Sequence, residues 1–419
     1  MLDKRPYEPL DAGTLSRRLS AAPGLAERIG PAEHWRVREV GDGNLNLVFI
    51  IEGPLGAAIA KQALPYARCV GDSWPMSLER SYFEYHALIR LGQRDPGRLP
   101  HVFAFDQEQA LIVMEYFTPH VILRKSLMAG EVLPQLERHI GQYLARTLFR
   151  GSDFAMQTAH RKSDLALFAG NVELCGISED LIFTDPFCVS PRNRVTPGLE
   201  GDAAAVRADR DLKLAAAALK RRFATGAETL LHGDFHSGSV MVTAQDSRVI
   251  DPEFAFYGPM GFDIGAFLGN LLMAYFANAG RGTPEAAREA YGDWILQLAE
   301  GVWASFEDEF ARLWRTERTG MLALTELFED TADPQGAEAA LAAVLRDIWR
   351  DTLGFAGIEM HRRILGLAHI PEFETIEDEA LRAACERRAL AMGRRLMLQP
   401  DTLCAPRQIS RLARSVRTV

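Results

Sequence analysis

The sequence predicts an α+β chain in two lobes: a small five-stranded antiparallel sheet with one helix, followed by a larger, mainly helical part. Two observations carry this expectation. Short β-branched runs separated by turn residues occupy the early part, and long stretches of helical apolar spacing occupy the rest. Composition agrees with a globular chain, since 47% of the 419 residues are hydrophobic and 25% are charged. That length is enough for two or three domains, each with its own core.

Residues 1–35 read as capped helix, with one helix from Leu15 to Ile29 ending at Gly30-Pro31. The strands follow at Trp35–Val40, Leu47–Glu52, Ala57–Gln62, Val102–Asp106 and Ala110–Met114. Turn residues Gly41-Asp42-Gly43 and Gly53-Pro54 separate the first three, and one helix, Ser77 to Leu91, interrupts the series. The sheet lobe is therefore expected at 1–115 and the helical lobe at 116–419. In the second lobe helices are expected near 131–151, 203–224, 262–279, 284–315, 317–329, 335–365 and 376–398. A hairpin between Val240 and Asp251 is the exception.

Several function classes are disfavoured at once. The net charge of −9 argues against a general nucleic-acid binder. No apolar run approaches the ~18 residues of a membrane span, and the amino terminus lacks a signal-type apolar core. The five cysteines (69, 175, 188, 385 and 404) show no metal-ligand spacing. They read as reduced thiols of a cytoplasmic protein. Arg407, Arg411, Arg414 and Arg417 follow helical spacing, as in a solvated last helix or a frayed tail, with contact to an acidic neighbour as the lesser alternative.

The chemistry concentrates between Leu230 and Phe267. Asp234 lies in a His-Gly-Asp turn, and Asp251 and Glu253 follow the hairpin, 17 and 19 residues later. One carboxylate entering a hairpin and another leaving it suit phosphoryl transfer: the first faces the attacking hydroxyl, the second holds the metal on ATP. Lys61 sits in a strand otherwise built for burial, so it needs a carboxylate partner. Glu84 on the following helix is one candidate and Glu79 is the other. Gly43 and Asn44 lie in a turn whose backbone can approach phosphate, though the same turn suits an ordinary hairpin. Met114, Glu115 and Tyr116 end the sheet lobe, where backbone groups can meet adenine. His232 and His236 flank Asp234, so a metal centre and a purely structural role for His232 both stay open. Asp263 either caps its helix or ties down the catalytic turn.

Lys61, Glu84 and the His-Gly-Asp…Asp order together resemble the aminoglycoside phosphotransferase and choline kinase group, whose two-lobed protein-kinase-like fold matches the expected layout. Longer strings narrow the resemblance. Gly41-Asp-Gly-Asn-Leu-Asn46, Lys61-Gln-Ala-Leu-Pro-Tyr66, Ser73-Trp-Pro75, Phe183-Thr-Asp-Pro-Phe187, His232-Gly-Asp-Phe-His-Ser-Gly-Ser239 and Asp251-Pro-Glu-Phe-Ala-Phe-Tyr-Gly-Pro259 are similar to the 5-methylthioribose kinase family of methionine salvage. That resemblance implies an ATP- and Mg²⁺-dependent kinase acting on the 1-hydroxyl of 5-methylthioribose, working as a homodimer. It implies an Asp-x-Glu metal pair at Asp251 and Glu253, and a serine at position 239 where protein kinases carry asparagine. It also implies that Arg362 and Arg363 form a twin-arginine pair at the sugar and the transferred phosphate. On spacing alone that pair reads as a solvated helix face. Trp74, Phe254 and Tyr257 are candidates for the apolar pocket of the methylthio group, and core aromatics otherwise. Phe235 and Ser237 depart from the usual Leu and Thr, and 188–202 carries no placeable motif. The competing expectation is a kinase of the same fold acting on another alcohol, such as an aminoglycoside or choline.

Overall fold

The structure, a computed structural model, describes residues 6–20, 22, 24–41, 45–67 and 71–417. The chain divides into two compact units. One comprises Met1–His120, Asn171–Leu174 and Arg248–Ala255; the other comprises Val121–Gly170, Cys175–Ser247 and Phe256–Val419.

The sheet unit contains all five expected strands: β1 (Arg36–Glu39), β2 (Asn46–Gly53), β3 (Gly56–Ala63), β4 (Val102–Asp106) and β5 (Leu111–Glu115). They are antiparallel neighbours in the order β1-β2-β3-β5-β4. Alternation along the strands divides their side chains between two faces. Phe49 and Ile51 of β2, Ala58 and Ala60 of β3, and Leu111 and Val113 of β5 share a core with Leu15, Leu19, Leu25 and Ile29 of the amino-terminal helices. Lys61 is one residue out of step with Ala60 and therefore points to the opposite face, opposed in register to Val48 and Ile112. A slip of one residue would drive this ammonium into the helix-covered core, so the alternating pattern fixes its direction.

Two expectations for this unit change. The single helix to Ile29 forms as two, Ala12–Leu19 and Leu25–Ile29. Gly24 between them takes a left-handed φ of 75°, and the proline at position 23 has no N–H to continue a helical ladder. A short ribbon, Tyr66–Ala67 with Gly71–Pro75, was not anticipated. The expected single helix of the lobe forms at Arg80–Arg94.

The helical unit is organised around Gly261–Ala277, a helix whose 17 residues are all buried. A helix apolar on every side belongs in a core. Gly261, Gly265 and Gly269 form a stripe at four-residue spacing facing the helix Pro334–Leu365. A Cβ on Gly265 would lie 2.7 Å from the Thr352 carbonyl oxygen, and one on Gly269 2.9 Å from that of Ala356. The stripe lets the two backbones approach closely, and this brings Asn270 to Glu359 (below). Gly265→Ala is therefore expected to cost about 1–3 kcal/mol by overpacking against backbone that cannot yield. Urea denaturation should show a lower midpoint at unchanged slope.

The expected helix at 203–224 is split by Asp209, whose side chain caps Arg210–Thr225 by accepting the Leu212 N–H. The helix expected at 317–329 is replaced by two short 3₁₀ turns, Thr325–Leu327 and Glu329–Thr331. There the N–H groups of Gly320 and Met321 donate instead to the carbonyls of Phe154 and Asp153, so tertiary backbone bonds outcompete local helix. Leu123–Ala129 and Thr158–Phe168 are additional helices. The arginine-rich end is a docked helix, Pro406–Arg417, burying Ile409, Ala413 and Val416 and pairing Arg414 with Asp293 at 2.9 Å. Among the described residues the four cysteines are free, and no helix is long and apolar enough to cross a membrane.

Candidate active site

In the sheet unit, the buried Lys61 ammonium donates to Glu84 Oε1 at 2.8 Å and also to Asp251 Oδ1. This settles the choice between the two glutamates. Glu79 stands at the N-cap of the helix, whereas Glu84 lies more than one turn inside it and is buried. Glu253 is held by another route: Asn46 Nδ2 donates to its Oε2 at 2.9 Å, and Arg80 Nε donates to Asn46 Oδ1 at 3.1 Å. Asn171 Nδ2 donates to the Glu253 carbonyl at 3.0 Å and fixes the backbone of the Asp-x-Glu turn. Asp251 carries a φ of 69°. Left-handed backbone costs a non-glycine residue of order 1–3 kcal/mol, and such strain gathers at functional turns.

Carboxylate oxygens of Glu84, Asp251 and Glu253 lie within 4.8 Å of one another. These three acids outnumber Lys61 and Arg80. Burial works against the Lys61 charge, but Asp251, Glu84 and Glu253 outweigh it and hold the ammonium above its ordinary range. Burial and mutual crowding push Glu84 and Glu253 upward. An all-oxygen donor set with surplus negative charge suits a hard divalent cation.

In the helical unit, the His-Gly-Asp turn is built by Gly233 and Asp263. Gly233 has a φ of 86°, where a side chain would strain the backbone. Asp263 accepts the His232 and Gly233 N–H groups at 2.7 and 3.0 Å, so it ties down the turn rather than capping a helix. Ser239 Oγ donates to the Asp234 carbonyl at 2.9 Å, closing the loop from the other end. The His-x-Asp-x-His metal alternative does not form. His232 is buried with its ring edge-on to Phe235, and these three side chains do not gather as ligands among the described residues.

The Asp234 carboxylate meets three donors. Arg362 Nη1 and Arg363 Nη2 reach Oδ1 at 3.3 and 3.2 Å, and His236 Nε2 lies 3.3 Å from Oδ2. Because Gly238 N–H donates to His236 Nδ1 at 2.8 Å, the ring proton sits on Nε2 and points at Asp234. Burial lowers the His236 pKa against the pull of Asp234, and the arginines carry permanent charge. Burial alone would raise the Asp234 carboxyl, but His236, Arg362 and Arg363 hold it well below the usual carboxylate range. A depressed folded-state pKa contributes stability above the unfolded value of 3.8 and loses it as pH falls through the lower folded value. Turnover should accordingly show no acid limb from Asp234 between pH 5 and 7, a range set well above an unperturbed aspartate pKa of ~3.9, as a kcat–pH profile would check.

Arg362 and Arg363 are buried rather than solvated. Glu359, on the same helix, accepts from Arg362 Nη1 at 3.1 Å and Arg363 Nε at 2.6 Å. Sequence reasoning missed Glu359, Asn46, Arg80, Asn270 and Arg124. Only Glu359 had a visible signal, its three- and four-residue spacing to the arginines.

Gly43 and Asn44 fall outside the described residues. Met114 and Glu115 end β5, where the Glu115 N–H donates to the His101 carbonyl at 2.9 Å, and Tyr116 follows. Trp74 is half-buried in the short ribbon. Tyr257 belongs to a different cluster, its ring under the Arg161 guanidinium at 4.0 Å and its hydroxyl 3.3 Å from Asp164.

The phosphotransferase enzyme family matches residues 36–307. Methylthioribose kinase 1 of Oryza sativa subsp. japonica is 45% identical over 396 residues, covering 93% of this chain and 91% of that one. The chain belongs to the methylthioribose kinase family. The methylthioribose kinase of Escherichia coli O45:K1 is 46% identical, with 94% of both chains covered. A solved glucosamine kinase in complex with glucosamine, ADP and inorganic phosphate aligns at 15% identity and a TM-score of 0.48, over 91% of this chain and 86% of that one. Membership of the methylthioribose kinases makes the chain a phosphotransferase, in agreement with the kinase-like order of Lys61, Glu84, Asp234 and Asp251.

Proposed function

We propose that the protein transfers the γ-phosphoryl group of ATP to the 1-hydroxyl of 5-methylthioribose, giving 5-methylthioribose 1-phosphate and ADP. The observation that carries this reading is the Asp234 carboxylate, kept ionised between Arg362 and Arg363 in a chain of the methylthioribose kinase family. Asp234 orients O1–H and accepts its proton as the O1–Pγ bond forms and the bond from Pγ to the β-phosphate oxygen breaks. Its low basicity suits a loose transition state, in which the proton moves late. Arg362 and Arg363 neutralise charge spread over the transferring oxygens, and their planar donor forks fit that task.

Lys61 holds the α- and β-phosphates and is itself aimed by Glu84. Asp251 and Glu253 would hold Mg²⁺, which when bound neutralises phosphate charge. Gly43 and Asn44 cover the triphosphate, and backbone groups of Met114, Glu115 and Tyr116 meet adenine. Trp74 is the aromatic candidate for the methylthio group. A cytoplasmic location accords with the free thiols, and the homodimer rests on the family resemblance.

The same fold acting on choline or an aminoglycoside is the second reading. A cationic substrate wants acids or an aromatic cage, and two buried arginines at the base disfavour it. An ADP-release assay with 5-methylthioribose, ribose, 5-methylthioadenosine, choline and an aminoglycoside distinguishes them. Fast turnover is expected with 5-methylthioribose, slower turnover with ribose, and none with 5-methylthioadenosine, whose C1 oxygen is replaced by a base. Preference for choline or the aminoglycoside would overturn the reading.

A further inference from the structure

We propose that Glu359 is a positioning residue that holds both arginines in their working orientation and, through Asn270, couples them to the loop that follows the base. The inference rests on the reading above, in which Arg362 and Arg363 act on the phosphoryl group. Glu359 is buried and spends one carboxylate oxygen on each arginine: Oε2 accepts from Arg362 Nη1 and Oε1 from Arg363 Nε. Two long cationic side chains that both face Asp234 repel one another. A shared carboxylate offsets that repulsion: it holds Nε of Arg363 and leaves Nη2 for Asp234, and on Arg362 it shares Nη1 with Asp234.

Beyond Glu359 the chain of contacts continues through the helical unit, from fully buried Asn270 to half-buried Arg124. Asn270 is fully buried on the glycine-striped helix, and its Nδ2 approaches Glu359 Oε1 at 3.4 Å. Its Oδ1 accepts from Arg124 Nη2 and from Ser237 Oγ, both at 3.2 Å. Arg124 Nε in turn donates to Ser237 Oγ and to Glu372 Oε1, each at 3.2 Å. Ser237 lies three residues after Asp234, so the base and the arginines are anchored to one buried network. In that network Arg124, Arg362 and Arg363 alternate with Glu359, Glu372 and Asp234, three charges of each sign. Removing one member leaves a buried charge without its partner.

The test uses the full chain with Glu359→Gln, which keeps the shape and removes the charge, and Asn270→Ala, which removes the bridge and keeps every charge. Partners behind a working group commonly contribute about 10- to 100-fold to activity. Glu359→Gln is expected to lower kcat within that range, and Asn270→Ala by a few-fold, both with KM for ATP unchanged. Inorganic phosphate, titrated calorimetrically, should bind Glu359→Gln more tightly than the parent, because the arginines have lost an internal anion. A general structural role would instead weaken ATP affinity, phosphate affinity and turnover together, and would overturn the proposal. So would a folded variant of either kind with unchanged kcat. If Glu359→Gln fails to fold by urea titration, Asn270→Ala decides. The phosphate titration needs no turnover, so absence of 5-methylthioribose turnover in the parent would count against the proposed reaction alone.

Discussion

Asp234→Ala is expected to lower kcat by about 10²- to 10⁴-fold, the usual contribution of a positioned general base, while ATP still binds. The two halves of this result are separable because their residues lie in different units of the chain. Lys61, Glu84, Asp251 and Glu253 form a group of their own in the sheet unit, and Asp234 belongs to the helical unit. Asp234→Asn is informative beside it. The amide cannot accept the proton of O1, and its NH₂ would face Arg362, Arg363 or the His236 Nε2–H, so turnover should fall comparably. Loss of ATP affinity with turnover preserved would remove Asp234 from the role of base. Steady-state kinetics together with equilibrium nucleotide titration measures both.

The second large effect is expected from Arg363→Met, which keeps much of the side-chain volume and removes the guanidinium. Deleting a donor that stabilises transition-state charge typically costs about 10²–10³ in kcat. Glu359 and Asp234 would each lose a partner from a buried cluster, and breaking such a pair costs about 3–5 kcal/mol. A lower kcat and a lower urea midpoint should therefore appear together, and the Asp234 carboxyl should move up toward its ordinary range. Arg362→Met should behave similarly. The double variant should lose less than the sum of the two, because both arginines share one oxygen of Asp234 and one carboxylate of Glu359. Strict additivity would indicate that the arginines act independently.

Much of this arrangement was legible in the residues. β-Branched runs and turn residues located the five strands to within a residue or two, because local propensity and tertiary structure agree there. Lys61 was recognisable as a charge in an apolar strand, and burial then required a carboxylate; only the three-dimensional course of the helix could choose Glu84 over Glu79. Asp234, Asp251 and Glu253 were visible because the hairpin between them is short. The bond from Asn46 to Glu253 spans 207 residues, and no spacing argument reaches that far. Arg362 and Arg363 looked solvated because a charged pair late in an amphipathic pattern usually is; Glu359 stood within helical reach of both, but the other acid they meet, Asp234, lies 128 and 129 residues away. The glycine stripe at 261, 265 and 269 was present in the sequence, yet its meaning depends on the helix packed against it. At 317–329 helical periodicity misled because backbone bonds to Asp153 and Phe154 take the place of the local ladder.

The most direct test of the central claim is ³¹P NMR of the product formed from 5-methylthioribose and ATP. The proposed reaction predicts one new phosphate monoester for each ADP, its phosphorus coupled to the single anomeric proton of the sugar. Inorganic phosphate accumulating in place of a sugar ester, or a phosphorus coupled to protons at another carbon, would contradict the account.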